Sequence, residues 1–287
     1  MLTRSAVPLL AAVLLLAGCG SDDPDVQSAP SPTSAPSTSA PASPAPTGEP
    51  SASASARAVY WIGATDDPRG PRLYREFVRR PAVDDPVRDA VELMLDGQPA
   101  DPDYTSLWAD GTTVLGVTRE GDTAVVDLSA QARTNGGGSA FEAMSLQQLV
   151  HTVTAADPSL TAVRLVVEGQ PVETLWGATD TRQAVRRAPA AETLGPVWID
   201  LEEGATLAEQ RFGGSATVFE ATVSWQLRQG DAVVQEGFST ATTGAPERGE
   251  WEATADVPPG TYELWAFESS AMDGSITWLD TKAVTFR

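Results

Sequence analysis

The sequence predicts an α+β domain followed by an all-β sandwich, with an apolar leader and a disordered linker ahead of both. Three observations carry that reading. Residues 20–57 are mostly Ser, Ala, Pro and Thr with almost nothing apolar beyond alanine, a composition that cannot bury enough surface to offset ordering entropy. Between residues 58 and 188, helical and strand periodicities mix; from 189 to 287 only strand patterns occur, separated by turn signals. The roughly 230 ordered residues exceed one typical core and suit two.

Arg4 supplies the positive start of a secretory signal, and Val7 to Leu16 its apolar run, too short to span a bilayer as a mature helix. The small residues Ala17 and Gly18 then precede Cys19, the only cysteine. Leu16-Ala17-Gly18-Cys19 resembles the lipobox of bacterial lipoproteins. That resemblance implies that residues 1–18 are a signal peptide and that Cys19 becomes a diacylglyceryl thioether, often with a further amide-linked palmitate-type chain. One acyl chain anchors only marginally, at about 0.8 kcal/mol per buried methylene, whereas two or three anchor durably. The implied address is the extracytoplasmic face of the cell membrane. No other stretch approaches the roughly 20 apolar residues of a spanning helix. With Cys19 acylated, no thiol remains for disulfides, thiolate zinc sites or a cysteine nucleophile. The linker, residues 19–57, would average on the order of 35 Å end to end as a coil, holding the folded part off the membrane.

In the first domain, residues 58–188, Ala58 to Ile62 and Leu73 to Val78 read as strands. A helix follows from about Pro86 to Asp96: Asp85 is a good N-cap, Pro86 fits the first helical position, and Gly97 ends it. Val87, Ala90, Val91, Met94 and Leu95 make its buried stripe. Thr113 to Arg119 and Thr123 to Leu128 form a hairpin around Glu120-Gly121-Asp122. Ser139-Ala140-Phe141-Glu142 reads as a capping box that opens a second helix to about Ala156, before Pro158. Ala162 to Val167 is an apolar strand ending near Gly169.

The second domain, residues 189–287, offers candidate strands Val197–Leu201, Ala216–Leu227, Val233–Ser239, Trp251–Val257, Tyr262–Glu268 and Ile276–Phe286, the last allowing a split in two. Alternation is cleanest from Val218 to Leu227. Turn signals at Gln229-Gly230-Asp231, Pro258-Pro259-Gly260 and Asp273-Gly274 separate these runs, and such spacing argues for a sandwich.

Three stretches in order, Val87 to Gly97, Gly121 to Ser129, and Gln148 to Thr154 with Val163 to Gly169, resemble the GerMN family of bacterial sporulation and germination proteins. Gly249 to Ala253 and Val257 to Leu264 resemble the immunoglobulin-like domain that often follows GerMN. The second resemblance implies Tyr262 as a tyrosine corner, Leu264 at the place of an antibody-domain cysteine, and Trp225 as a core tryptophan. The first implies protein binding or assembly in the cell envelope and carries no catalytic constellation, so no catalytic, cofactor or metal residue is transferred.

The chemistry agrees. His151, the only histidine, lacks partners for a metal or catalytic site and falls off the Phe141, Leu149, Val153 face, so a solvent-exposed or flanking place is expected. Gly-x-Ser-x-Gly is missing, and Ser-x-x-Lys is impossible with Lys282 as the only lysine. Gly136-Gly137-Gly138 reads as a connector, since no Lys-Ser/Thr follows. The acidic pairs Asp66-Asp67, Asp84-Asp85, Asp101/Asp103 and Glu202-Glu203 sit in turns and caps, where most are solvated; Asp127 is the carboxylate to change if the chain were a wall hydrolase. Trp251, Trp265 and Trp278 offer a glycan platform if they line one sheet face, against core packing for Trp61, Trp198 and Trp225. A net charge of −20 argues against nucleic acid and anionic lipid as partners and favours a basic protein patch. The expectation is a lipid-anchored, non-catalytic envelope protein without cofactor. Its partners would be an envelope or membrane protein, or alternatively cell-wall glycan.

Overall fold

Two antiparallel strands, β1 (Ala54–Gly63) and β2 (Arg72–Pro81), open the chain in the computed structural model, which describes residues 54–64, 69–134 and 138–287. Cys19, the leader, the linker up to residue 53, Asp66-Asp67 and Gly136-Gly137 lie outside the described residues. Helix α1 (Pro86–Leu95) begins as expected, with the Asp85 carboxylate accepting from the Arg88 backbone N–H at 2.9 Å and Pro86 in the first turn. Strands β3 (Val114–Glu120) and β4 (Thr123–Leu128) form the hairpin, in which Gly121 takes the positive φ of 63° that the two-residue turn requires.

Helix α2 (Ser139–Ala156) crosses over from β4 to the parallel strand β5 (Ala162–Val167). Short strands β6 (Gln170–Pro171) and β7 (Val185–Arg186) both pair with β5. From Met144 to Thr154 every residue of α2 is buried, because the helix packs against β1, α1, β5 and β7 at once. Its polar side chains find backbone partners there: Gln148 Nε2 donates to the Tyr60 carbonyl at 2.9 Å, and Thr152 Oγ1 accepts from the Tyr60 N–H at 3.2 Å. Side chains of α2 thus bond the β1 backbone where a neighbouring strand would.

This burial corrects two expectations. His151 is only 2% exposed, tilted against Tyr60 with ring centroids 5.1 Å apart, not solvent-facing. The one-stripe reading of α2 failed because the helix is enclosed on several sides. The capping box fails as well: Gly138 is the N-cap, with no side-chain cap bond. Glu142 is buried and instead accepts backbone N–H groups of Trp176 (3.0 Å), Ala178 (2.8 Å) and Thr179 (2.9 Å), fixing that loop to the helix.

After a short helix α3 (Ala190–Thr193), two sheets follow. The smaller sheet orders as β13-β10-β8, from β8 (Val197–Ile199), β10 (Arg211–Ala216) and β13 (Gly249–Thr254). The larger orders as β12-β11-β14-β15-β9, from β9 (Ala205–Leu207), β11 (Thr222–Gln229), β12 (Ala232–Thr240), β14 (Gly260–Ser269) and β15 (Ile276–Phe286). The single strand expected from Ala216 to Leu227 is broken: a 3₁₀ turn at Phe219–Ala221, with Glu220 and Ala221 at positive φ, carries the chain from one sheet to the other. Its alternating pattern continued through the corner, so periodicity alone could not mark it. The C-terminal strand is continuous, and its irregularity is a register shift opposite Ala266/Glu268.

Between the sheets Trp225 meets Phe212 edge-on, and Tyr262 packs on Phe286. Tyr262 Oη donates to the Pro258 carbonyl at 2.7 Å, the tyrosine corner, and Leu264 is fully buried. No Cβ fits at Gly214, where it would run into the Trp198 carbonyl.

Candidate functional site: a buried polar junction

Along β15 the period of two places Asp280, Lys282, Val284 and Phe286 on one face, and all four are buried. Val284 and Phe286 enter the second core. Asp280 and Lys282 instead meet a segment of the first domain between α1 and β3. Lys282 Nζ pairs with the Asp101 carboxylate and donates to Tyr104 Oη at 2.9 Å; Tyr104 Oη in turn donates to Asp280 Oδ1 at 2.6 Å. The other Asp280 oxygen accepts from the Ile199 N–H at 2.7 Å. Asp101 also accepts from the Asp103 N–H, and its own N–H reaches Glu76 at 2.8 Å. At the rim Thr281 donates to Asp103 at 2.7 Å.

The electrostatics suit a closed network. Burial pushes the Asp280 carboxyl up to about 6, against the pull of Lys282. Burial alone would lower the Lys282 ammonium, but Asp280 and Asp101 outweigh it and hold its pKa above the ordinary value. Burial, then Asp280 and Asp101, raise the Tyr104 phenol well above its usual range. A cation between two carboxylates, with hydrogen bonds meeting the remaining lone pairs, is the arrangement in which buried charges are tolerated.

A second set of contacts lies beside it. Trp198 Nε1 donates to the Leu73 carbonyl at 3.2 Å, and Trp198 packs in the first core although its strand belongs to the second sandwich. Arg248 covers the Trp198 ring at 3.9 Å and donates to the Gly195 carbonyl at 2.9 Å; burial lowers its pKa to about 10. Arg75 bridges to Asp200 at 2.6 Å. The folded region is accordingly one compact unit with two adjoining cores.

Residues 58–173 match the family model for sporulation and spore germination. Residues 202–275 match the immunoglobulin-like domain of bacterial spore germination. The chain carries a GerMN domain followed by a germination-type immunoglobulin-like domain. Among solved structures it is similar to the tandem GerMN domains of the sporulation protein GerM from Bacillus subtilis. That match has 17% identity over 65% of this chain and 59% of the other, with a TM-score of 0.41. The first GerMN domain of that protein matches at 19% identity over 46% of this chain and 98% of its own, TM-score 0.39. A candidate lipoprotein from Clostridium perfringens matches at 19% identity over 46% and 87%, TM-score 0.34. No curated protein matches the chain.

Within the GerMN domain, Asp127 accepts from the Gly169 N–H at 3.0 Å and so braces the β5–β6 turn, where Glu168 and Gly169 both take positive φ. Of the acidic pairs, Asp85 caps α1, Glu202 pairs with Arg79, and Glu203 accepts from the Ala283 N–H. Asp101 departs from the solvated expectation, since it is buried under Lys282. The tryptophan platform is also corrected. Trp251 is buried and donates to the Trp198 carbonyl, while Trp265 and Trp278 are half-buried under Arg228 and Arg69 respectively. Trp61, Trp198 and Trp225 are core residues, as expected. Among the described residues no helix is long and apolar enough to cross a membrane, and no group of three or more His, Cys, Asp or Glu is placed to hold a metal ion.

Lys282 was missed as a site residue, yet the signal was present. A lone lysine two positions from Asp280, in phase with Val284 and Phe286, is a charge pair on a core-facing stripe.

Proposed function

We propose that this chain is a lipid-anchored, extracytoplasmic, non-catalytic binding protein of the bacterial cell envelope, held by Cys19 and presenting its two domains as one rigid body. The observation that carries the reading is the junction. Among the described residues, a set of buried charges joins the GerMN domain to the immunoglobulin-like domain, and its groups are committed to one another and to backbone partners. A reaction centre needs groups directed at a substrate; a binding protein needs domains held in fixed relation. The leader ending at Cys19 and the long polar linker support the anchored address, and the excess of acid supports a protein partner with a basic patch.

Crosslinking in cells tests this. Amine-directed reagents are unsuited because Lys282, the only lysine, is buried. A photoreactive residue in place of exposed Leu115 on the GerMN domain serves instead. A discrete envelope protein should be captured by the wild-type chain and lost with Cys19→Ala. Capture of wall glycan alone, or turnover of wall material that a single change such as Asp127→Asn abolishes, would overturn the reading.

A further inference from the structure

Of the eight large apolar side chains exposed among the described residues, six belong to the immunoglobulin-like domain. Two of them, Phe238 and Ile276, line the outer face at one end of its larger sheet, and two more, Phe219 and Met272, lie in a turn and a loop that adjoin its strands. Phe238 on the edge strand β12 is 75% exposed and lies opposite Ser224 on β11; Ser224 lies opposite Phe267 on β14. Ile276 on β15 is 42% exposed and lies opposite Ser269 on β14. Phe238 and Ile276 flank a groove of about 470 Å³ whose lining also includes Phe267, Ser224, Gln226 and Glu236. Phe219, 69% exposed, sits in the 3₁₀ turn whose N–H donates to Glu268, and Met272, 96% exposed, lies on the β14–β15 loop. Apolar surface gathered in this way marks an interaction site rather than the scattered exposure common on monomers.

The charge around the groove narrows the occupant. Glu236 lines it, Glu268 and Asp273 are next in sequence to lining residues, and among the described residues none of the three forms an ion pair. Arg211 pairs with Glu252, and Arg248 and Lys282 serve the junction, while Arg228 lies over Trp265 and reaches the groove only through Gln226, to whose amide oxygen it donates at 2.8 Å. A second copy of a chain with net charge −20 would bring more of the same charge. The strand β12 ends its sheet, with Ser239 donating to the Glu252 carbonyl of β13 and Gln235 accepting from the Asp256 N–H, so the open surface is the outer face, across which an extended segment can lie.

We infer that this groove docks an extended segment of a partner protein in which an apolar or aromatic side chain is flanked by Lys or Arg. The segment seats its apolar residue between Phe238 and Ile276 and sets its cations on the acidic rim. The inference deepens the binding reading above and rests on it.

Fluorescent peptides of about ten residues, the length of a typical strand, test it against the full chain by anisotropy. One peptide alternates Lys with Leu or Phe, a second alternates Glu with the same apolar residues, and a third alternates Lys with Ser. The first should bind, weaken with added salt, and weaken by at least about tenfold in Phe238→Ser. The change Glu236→Gln should lessen the salt dependence, and Leu115→Ser should leave binding unaltered. Phe238 is exposed, so an unchanged melting temperature separates lost binding from lost fold. Four results would overturn the groove: no binding by the first peptide, equal binding by the second or third, binding indifferent to Phe238→Ser, or displacement by wall-glycan fragments. Self-association removed by Phe238→Ser would assign the face to a second copy and also overturn it. Capture through position 115 with no peptide affinity sinks the groove alone; neither capture nor peptide affinity sinks the binding role with it.

Discussion

His151 sets a pH dependence that one substitution isolates. The side chain is 2% exposed, packs on Tyr60, and neither ring nitrogen has a hydrogen-bond partner among the described residues. Burial, with Arg187 nearby adding repulsion, lowers its pKa to about 3 from an ordinary 6.5. The sign follows from which state takes the proton first. The unfolded chain protonates as pH falls through 6.5, while the folded chain stays neutral until about 3. Stability is therefore full above 6.5 and drains away between 6.5 and 3. At pH 5 the unfolded state has gained about 1.5 units at 1.36 kcal/mol each, or about 2 kcal/mol. Asp280 acts in the opposite direction, since a carboxyl raised to about 6 takes its proton in the folded state first and adds stability as pH falls. The wild-type profile thus mixes two opposed terms, and the difference from His151→Leu isolates one. Urea unfolding followed by tryptophan fluorescence at pH 7 and pH 5 is the assay. The gap between wild type and variant should move by about 2 kcal/mol in favour of the variant on going to pH 5. Equal losses in both proteins would refute the burial argument.

Three further outcomes follow from the packing. Lys282→Met should cost about 3–5 kcal/mol, because it strands Asp101 and Asp280 as buried carboxylates, and adding Asp101→Asn should recover much of that in a double-mutant cycle. Glu142→Gln should cost about 2 kcal/mol and speed amide exchange at residues 176, 178 and 179, whose N–H groups the carboxylate holds. Tyr262→Phe should lower stability by about 1 kcal/mol in urea unfolding, with the strand pairing of β14 and β15 unchanged by amide exchange.

Much of the fold was legible where local chemistry and tertiary packing agree. Asp85, Pro86 and Gly97 bound α1 by caps that act within one turn, and Gly121 marks a hairpin by its own φ. Tyr262 at its corner also acts through a bond only four residues long. Legibility failed where distant segments decide. Glu142 has the spacing of a capping box, yet the amides it satisfies lie more than thirty residues on. His151 looked peripheral because a helix read alone has one buried face, whereas α2 is enclosed by strands from both ends of the domain. Phe219 to Ala221 kept the alternation of a strand through a corner, since the residues on either side still face a core. The junction was hardest, because Asp101 and Lys282 are 181 positions apart and neither shows its partner locally. The phase of Asp280 and Lys282 with Val284 and Phe286 was the one trace of it.

Acylation of Lys282 is the measurement that bears most directly on a rigid two-domain body, since the only lysine in the chain lies inside the junction. A small amine reagent with peptide mass spectrometry gives its rate in native protein and in urea. A closed junction should slow labelling by more than about a thousandfold relative to the unfolded chain, the factor for an opening free energy of about 4 kcal/mol. Labelling within about tenfold of the unfolded rate, in protein that keeps its folded tryptophan fluorescence, would show domains that part readily and would contradict the account.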